Sequence, residues 1–185
     1  LGFKLPGIKP VLERIRNYVK VNIIKKYWLN DNNLRSYYEQ EEIKNEIDIL
    51  RTLDHPNILK IFEFYSSKES YSIVTELCQG GELFQEIIDR GPFNENYSAY
   101  VMFQILSAIN YCHKMKIIHR DLKLDNILVT FQSEEDKKNL NMMKAIVKII
   151  DFGFATKLKQ SKANLTYTVL GTPTNMDPQL LKNME

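Results

Sequence analysis

Residues 18–24 (Y-V-K-V-N-I-I) are rich in β-branched and aromatic residues, which predicts a strand, and the Asn30-Asp31-Asn32-Asn33 cluster predicts a turn soon after it. The apolar period then lengthens. Across residues 34–53, Ile43, Ile47 and Leu50 recur at i, i+4 and i+7, while Glu39, Glu41, Glu42 and Lys44 take other faces, so a one-sided helix is expected. His55-Pro56-Asn57 ends it, because a residue before proline is pushed out of helical geometry. Residues 58–65 and 71–77 read as two strands joined by the polar turn Ser66-Ser67-Lys68-Glu69-Ser70.

Gly80-Gly81 breaks this pattern, and helices dominate beyond it. Residues 82–89 predict a short amphipathic helix and residues 94–114 a long one, with Asn94 as N-cap and Met102, Ile105 and Ile109 along one stripe. Residues 127–130 and 145–150 predict short strands around a charged insertion at 132–141. Residues 151–185 have little apolar periodicity and are expected to form a loop tied down at a few points. The first part is mostly β and the second mostly α, an α+β chain whose two lobes meet near residues 78–81.

Composition narrows the classes. With 185 residues, 44% of them hydrophobic and 26% charged, the chain can bury a core, which argues against disorder or a fibrous repeat. The first 26 residues are basic and are expected to present a solvated face; overall, 25 Lys and Arg against 23 Asp and Glu leave only +2, so no nucleic-acid partner is expected. No apolar run reaches the ~18 residues of a membrane span and the N-terminus shows no signal-peptide core, so no membrane partner and a cytoplasmic location are expected. Cys78 and Cys112 have no metal-binding or disulfide spacing and are expected to act as small hydrophobes.

The chemistry concentrates in two motifs. His119-Arg120-Asp121-Leu122-Lys123-Leu124-Asp125-Asn126 lies between the apolar pair Ile117-Ile118 and the apolar residues 127–129, flanks able to hold a polar loop rigidly. Asp151-Phe152-Gly153 follows the next apolar strand. Together they match the H-R-D-L-x-x-x-N and D-F-G signature of eukaryotic protein kinases, which the chain therefore resembles. Leu53-Asp54-His55-Pro56-Asn57-Ile58 and the stretch from Val74 to Phe84 are most similar to calcium/calmodulin-type and calcium-dependent serine/threonine kinases. The resemblance implies a two-lobed, protein-kinase-like fold, truncated: a partial β-rich lobe in residues 1–78 and an incomplete helical lobe in residues 79–185, with ATP and Mg²⁺ between them.

Phosphoryl transfer requires charge on the phosphate oxygens to be neutralised and a hydroxyl to be aimed in line. By resemblance, Asp121 orients the substrate hydroxyl and accepts its proton, Lys123 sets a positive charge near the transferring phosphate, and Asn126 and Asp151 supply oxygen ligands to Mg²⁺. Glu46 matches the helix glutamate that pairs with an ATP-contacting strand lysine. Backbone groups of Glu76 and Cys78 are expected to bond adenine, Thr75 to guard the back of the pocket, and Glu82 to contact ribose or a substrate arginine. Thr166, Tyr167 and Thr168 fall in the activation segment, with Thr168 as the phosphorylation site that would pair with Arg120. His119-x-Asp121 alone also fits two legs of an iron facial triad, but a further histidine usually lies downstream, and His55 and His113 both lie upstream.

Three positions depart from the family pattern. No G-x-G-x-x-G occurs, so no glycine loop brings backbone close to the phosphates. One register puts Asn22 where the strand lysine belongs, and a shifted register puts Lys20 there. Gly171-Thr172-Pro173 fits the family's substrate-facing loop, but the usual A-P-E reads Asp177-Pro178-Gln179, and the later helices of the family are expected to lie outside the chain. Two readings follow: a serine/threonine kinase acting on protein substrates, with Glu82 and Asp125 favouring basic ones, or a catalytically impaired scaffold. No EF-hand loop appears, so calcium control would need other segments.

Overall fold

The computed structural model describes residues 19–25, 34–67, 70–131, 133–138, 142–158 and 171–182. Three strands, β1 (Val19–Lys25), β2 (Ile61–Ser66) and β3 (Ser70–Glu76), form an antiparallel sheet with β3 in the centre. β2 and β3 make the expected hairpin, and the Ser67 N–H closes its turn on the Ser70 carbonyl at 2.9 Å. A bulge between Ile61 and Glu63 leaves Phe62 exposed. Helix α1 (Leu34–Thr52) buries Ile47, Ile49 and Leu50, and Leu53 just past its end is buried too.

The first strand of the expected pair, β2, starts at Ile61 rather than at residue 58. Ile58 instead bridges Ile149 in parallel; the Leu59 N–H donates to the Ile149 carbonyl at 3.0 Å, and the Ile149 N–H to the Asn57 carbonyl at 2.9 Å. An apolar run need not join the nearest hairpin if its backbone groups find partners elsewhere. Here that exchange stitches the first sheet to the rest of the molecule.

A second sheet has the order β4 (Gly81–Glu82), β6 (Ile127–Phe131), β7 (Ala145–Ile149), and a third pairs β5 (Ile117–Ile118) with β8 (Thr156–Lys157). Gly80 approaches β6 so closely that an added Cβ would meet the Val129 carbonyl oxygen at 2.8 Å, which only glycine permits. Helix α2 (Leu83–Arg90) buries Leu83. Helix α3 (Glu95–Lys114) starts as expected, with the Asn94 side chain accepting from the Tyr97 N–H at 2.9 Å.

Its buried stripe differs from the expected one. Tyr97, Val101, Ile105, Ala108 and Cys112 face the core with Gln104, whereas Met102 is 48% exposed and Ile109 only packs at the margin. Counting aliphatic residues alone overlooks Tyr, Ala and Cys, which bury readily. Burial pushes the Cys112 thiol up to about 11, so it behaves as the expected small hydrophobe, while Cys78 is half-buried. The insertion contains α4 (Glu134–Lys138), held by a Lys144–Asp136 ion pair at 2.9 Å. Residues 171–182 carry a 3-10 turn and α5 (Pro178–Lys182). No helix among the described residues is long and apolar enough to cross a membrane.

Candidate active site

The loop between β5 and β6 is built around a neutral histidine. His119 is 3% exposed; its Nε2 lies 3.0 Å from the Ile150 carbonyl oxygen, and its Nδ1 accepts from the Asp121 N–H at 3.3 Å. One donating and one accepting nitrogen define the neutral tautomer. Burial also lowers its pKa, against the bond to Ile150 and the charges of Asp151 and Asp121. The ring meets Phe152 edge-on at 4.7 Å, so the histidine packs within the loop.

Asp121, 4% exposed, collects donors on both carboxylate oxygens. Oδ1 accepts from the N–H and the hydroxyl of Thr172, each at 2.7 Å. Oδ2 lies 3.0 Å from Lys123 Nζ and accepts from Asn126 Nδ2 at 3.2 Å. Burial alone would raise this carboxyl, but the Thr172 hydroxyl, Lys123 and the Thr172 N–H outweigh it and hold the group below its ordinary value. The bond to Asp121 raises the Lys123 ammonium in turn. Asp121 therefore stays ionised, desolvated and aimed.

Two backbone features make this clasp possible. Arg120 has φ of 71°, a left-handed conformation that costs a non-glycine residue of order 1–3 kcal/mol and persists only where its surroundings impose it. Gly171, at φ of 124°, passes so close that an added Cβ would stand 2.5 Å from the Arg120 carbonyl oxygen. The glycine thus lets Thr172 reach Asp121.

Asp151 also has a left-handed backbone, with φ of 61°, and its Oδ1 accepts from the Gly153 N–H at 3.4 Å. Behind it Phe152 is fully buried. Glu46 of α1 accepts from the Phe152 N–H, yet burial first and the Asp151 charge second push its carboxyl up to about 7. Asn126 donates from Nδ2 to the Asp121 carbonyl at 2.9 Å as well as to its carboxylate, so the amide oxygen is the ligand atom left to it. An amide oxygen and a carboxylate suit Mg²⁺, which protein groups usually hold through only one or two carboxylates together with substrate phosphates. Among the described residues there is no cluster of three or more His, Cys, Asp or Glu side chains that could hold a metal ion.

Between the sheets lies a cleft of about 460 Å³. Thr75, Glu76, Cys78 and Glu82, four of the residues expected at the nucleotide, line it, together with Leu59, Leu128 and Ile150, which the sequence does not single out. Such a volume and a mixed lining fit a small-molecule ligand. The Glu76 side chain is held on both oxygens: Oε1 by the Lys60 N–H at 2.8 Å and Oε2 by the buried Lys148 of β7 at 2.8 Å. This ion pair fastens the end of β3 to the strand that leads to Asp151.

Backbone pairing sets Lys20 opposite the cleft residue Thr75, and Asn22 opposite the core residue Ile73. Thr166, Tyr167 and Thr168 lie outside the described residues, as do the residues where a glycine loop would fall. Arg120, expected to meet a phosphate on Thr168, donates from Nε to the Phe154 carbonyl at 2.6 Å. Gln179 is exposed, and its N–H bonds Asp177 Oδ1 at 2.7 Å.

A family model described as the protein kinase domain matches residues 14–185. Calcium-dependent protein kinase 5 of Plasmodium falciparum (isolate 3D7) is 39% identical over 176 residues, 95% of this chain and 28% of that protein. Calcium-dependent protein kinase 5 of Plasmodium berghei (strain Anka) is 44% identical over 142 residues, 77% of this chain and 23% of that protein. For calcium-dependent protein kinase 3 of Plasmodium yoelii yoelii the identity is 40% over 138 residues, 75% and 24% of the two chains. The chain spans about a quarter of the length of these curated relatives. A family match over almost the whole sequence, joined to the H-R-D and D-F-G loops packed on one another through His119 and Phe152, means that the chain belongs to the protein kinase domain family.

Proposed function

We propose that this chain forms the nucleotide-binding and phosphoryl-transfer part of a serine/threonine protein kinase, which moves the γ-phosphoryl group of ATP to a Ser or Thr hydroxyl of a protein substrate. The observation that carries the proposal is Asp121: a desolvated carboxylate kept ionised by Thr172 and Lys123, on a loop fixed by Asn126 and His119.

In this reading Asp121 accepts the substrate hydroxyl's proton and aims its oxygen at phosphorus, a role worth roughly 10²–10⁴-fold in rate. Lys123, whose bond to Asp121 keeps it protonated, faces the charge that builds on the transferring group. Asn126 and Asp151 would hold Mg²⁺, which when bound neutralises phosphate charge. Glu76 and Cys78 present hinge backbone to adenine, Thr75 leaves room behind it, and Glu82 takes ribose. Lys20, across from Thr75, carries the strand charge that Glu46 would partner. The boundary between the two lobes is set at residues 78 and 79.

Substrates with basic residues near the acceptor are favoured by Glu82 and Asp125. The balanced charge favours no nucleic-acid partner, and the reading includes a cytoplasmic enzyme without a membrane partner. The relatives' names bring calcium control into the proposal, and without an EF-hand loop in the sequence such control would act from outside these residues. The test is Mg²⁺-dependent transfer of label from γ-labelled ATP to a basic Ser/Thr peptide by the intact protein. Asp121→Ala should lower the rate at least a hundredfold; turnover that survives the substitution would overturn the assignment.

A further inference from the structure

The segment that follows β7 has no ladder of its own, so its carbonyls must find partners one by one. The Ile150 oxygen pairs with His119 at 3.0 Å and the Phe152 oxygen accepts from the Ala155 N–H at 3.0 Å. The Phe154 oxygen accepts from Arg120 Nε at 2.6 Å. Two others, those of Gly153 and Ala155, are both taken by one side chain: Asn45 Nδ2 of α1 donates to the Gly153 oxygen at 3.2 Å and to the Ala155 oxygen at 2.8 Å. Both partners are acceptors, so the amide must present its NH₂ group, and the assignment of nitrogen and oxygen is fixed by the network.

Two of these anchors come from the catalytic loop, in the same lobe as the segment. Asn45 comes from the other lobe, 108 and 110 positions away, and precedes Glu46, whose carboxylate takes the Phe152 N–H. The left-handed backbone of Asp151 lies within this anchored stretch. A residue in that conformation keeps it only while its surroundings over-determine it.

We propose that Asn45 is a positioning residue for Asp151: its amide staples α1 to the segment carrying this carboxylate, so that the helix and the Mg²⁺ ligand keep one relative placement. The inference rests on the nucleotide-binding reading above and deepens it. It separates two parts of nucleotide binding, because adenosine needs only the hinge and the cleft, whereas Mg·ATP also needs Asp151 in place.

The test measures affinity for adenosine and for Mg·ATP on the intact protein, with Asn45→Ala and Asn45→Asp beside the wild type. Asn45→Ala should weaken Mg·ATP roughly tenfold and leave adenosine unchanged, as loss of two ordinary hydrogen bonds allows. Asn45→Asp is nearly isosteric but sets acceptor oxygens against two carbonyls, so its loss should exceed that of alanine, the reverse of what side-chain volume predicts. Hydrogen exchange at the Phe152 and Ala155 amides should quicken in both variants without nucleotide. Equal losses for both ligands would reveal a general structural defect, and no loss for either would remove the role; each overturns the proposal. A wild type that binds neither ligand would overturn the nucleotide reading itself, and this inference with it.

Discussion

Asp121 and Glu46 are both withdrawn from water, yet their surroundings drive their carboxyls in opposite directions. Around Asp121 the catalytic loop and Thr172 supply donors, and the carboxyl lies below its ordinary value. Around Glu46, among the described residues, the Phe152 N–H is set against a second carboxylate, Asp151, and the carboxyl rises to about 7. Burial acts alike on both, since it always disfavours the charged form. What differs is the count of donors within reach. Asp121 is thus electrostatically satisfied by the catalytic loop and Thr172 together, while the contact between α1 and Asp151 sets two like charges against each other.

The largest test of this contrast removes a donor from the complete side. Lys123→Met takes away the ammonium that bonds Asp121 Oδ2 and the Thr172 hydroxyl. In the intact kinase it should lower kcat by roughly 10²–10³, the usual loss for one preorganised stabiliser of developing charge, with less effect on KM for ATP. Steady-state kinetics at saturating nucleotide checks this. A change confined to KM would mean that Lys123 serves binding rather than the chemical step.

A smaller effect is expected where the clasp is moved and not cut. Gly171→Ala meets the Arg120 carbonyl at 2.5 Å in a backbone conformation that disfavours any side chain, so Thr172 must retreat from Asp121. A displacement of about 1 Å in such a group costs on the order of 10² in rate. The pH profile adds a second readout. With fewer donors Asp121 should titrate higher, shifting the acidic limb of kcat to higher pH. An unshifted limb would show that Thr172 does not hold the carboxylate ionised.

The catalytic loop is legible in the sequence through its match to the kinase signature, and His119, Asp121, Lys123 and Asn126 can be read together because they sit on one short run of chain between two apolar stretches. The residues Thr75, Glu76, Cys78 and Glu82 are expected only through the resemblance to the kinase family, and they line one cleft. Thr172, 51 positions from Asp121, is marked only by the likeness of Gly171-Thr172-Pro173 to the family's substrate-facing loop, which does not foretell its bonds to Asp121. Asn45, more than a hundred positions from the carbonyls it holds, carries no local signal, since a lone Asn in a polar stretch means nothing until the chain is folded. Lys148 is a plainer lesson. A lysine at an alternating position of a strand reads as exposed, yet it is 8% exposed and paired with Glu76 across the lobes. The α3 stripe fails at Met102 because a pattern of large aliphatic residues passes over Ala108 and Cys112, both fully buried.

The smallest effect concerns Glu46 and shows as pH dependence rather than lost activity. Its folded value of about 7 lies above the ordinary 4.5. Below pH 4.5 the group is protonated in both states and opposes folding in neither. As pH rises towards 7 the unfolded chain releases this proton while the folded one retains it, so stability falls across that window and the full cost stands above it. The cost is on the order of 3 kcal/mol at most. Denaturant titrations of metal-free wild type and Glu46→Gln should therefore diverge between pH 4.5 and 7, the variant gaining on the wild type as pH rises. Asp151→Asn should reduce the divergence without abolishing it, because burial, the larger cause, remains. A difference curve flat across the window would mean that Glu46 ionises freely and that the contrast with Asp121 does not exist; a divergence abolished by Asp151→Asn would put charge ahead of burial.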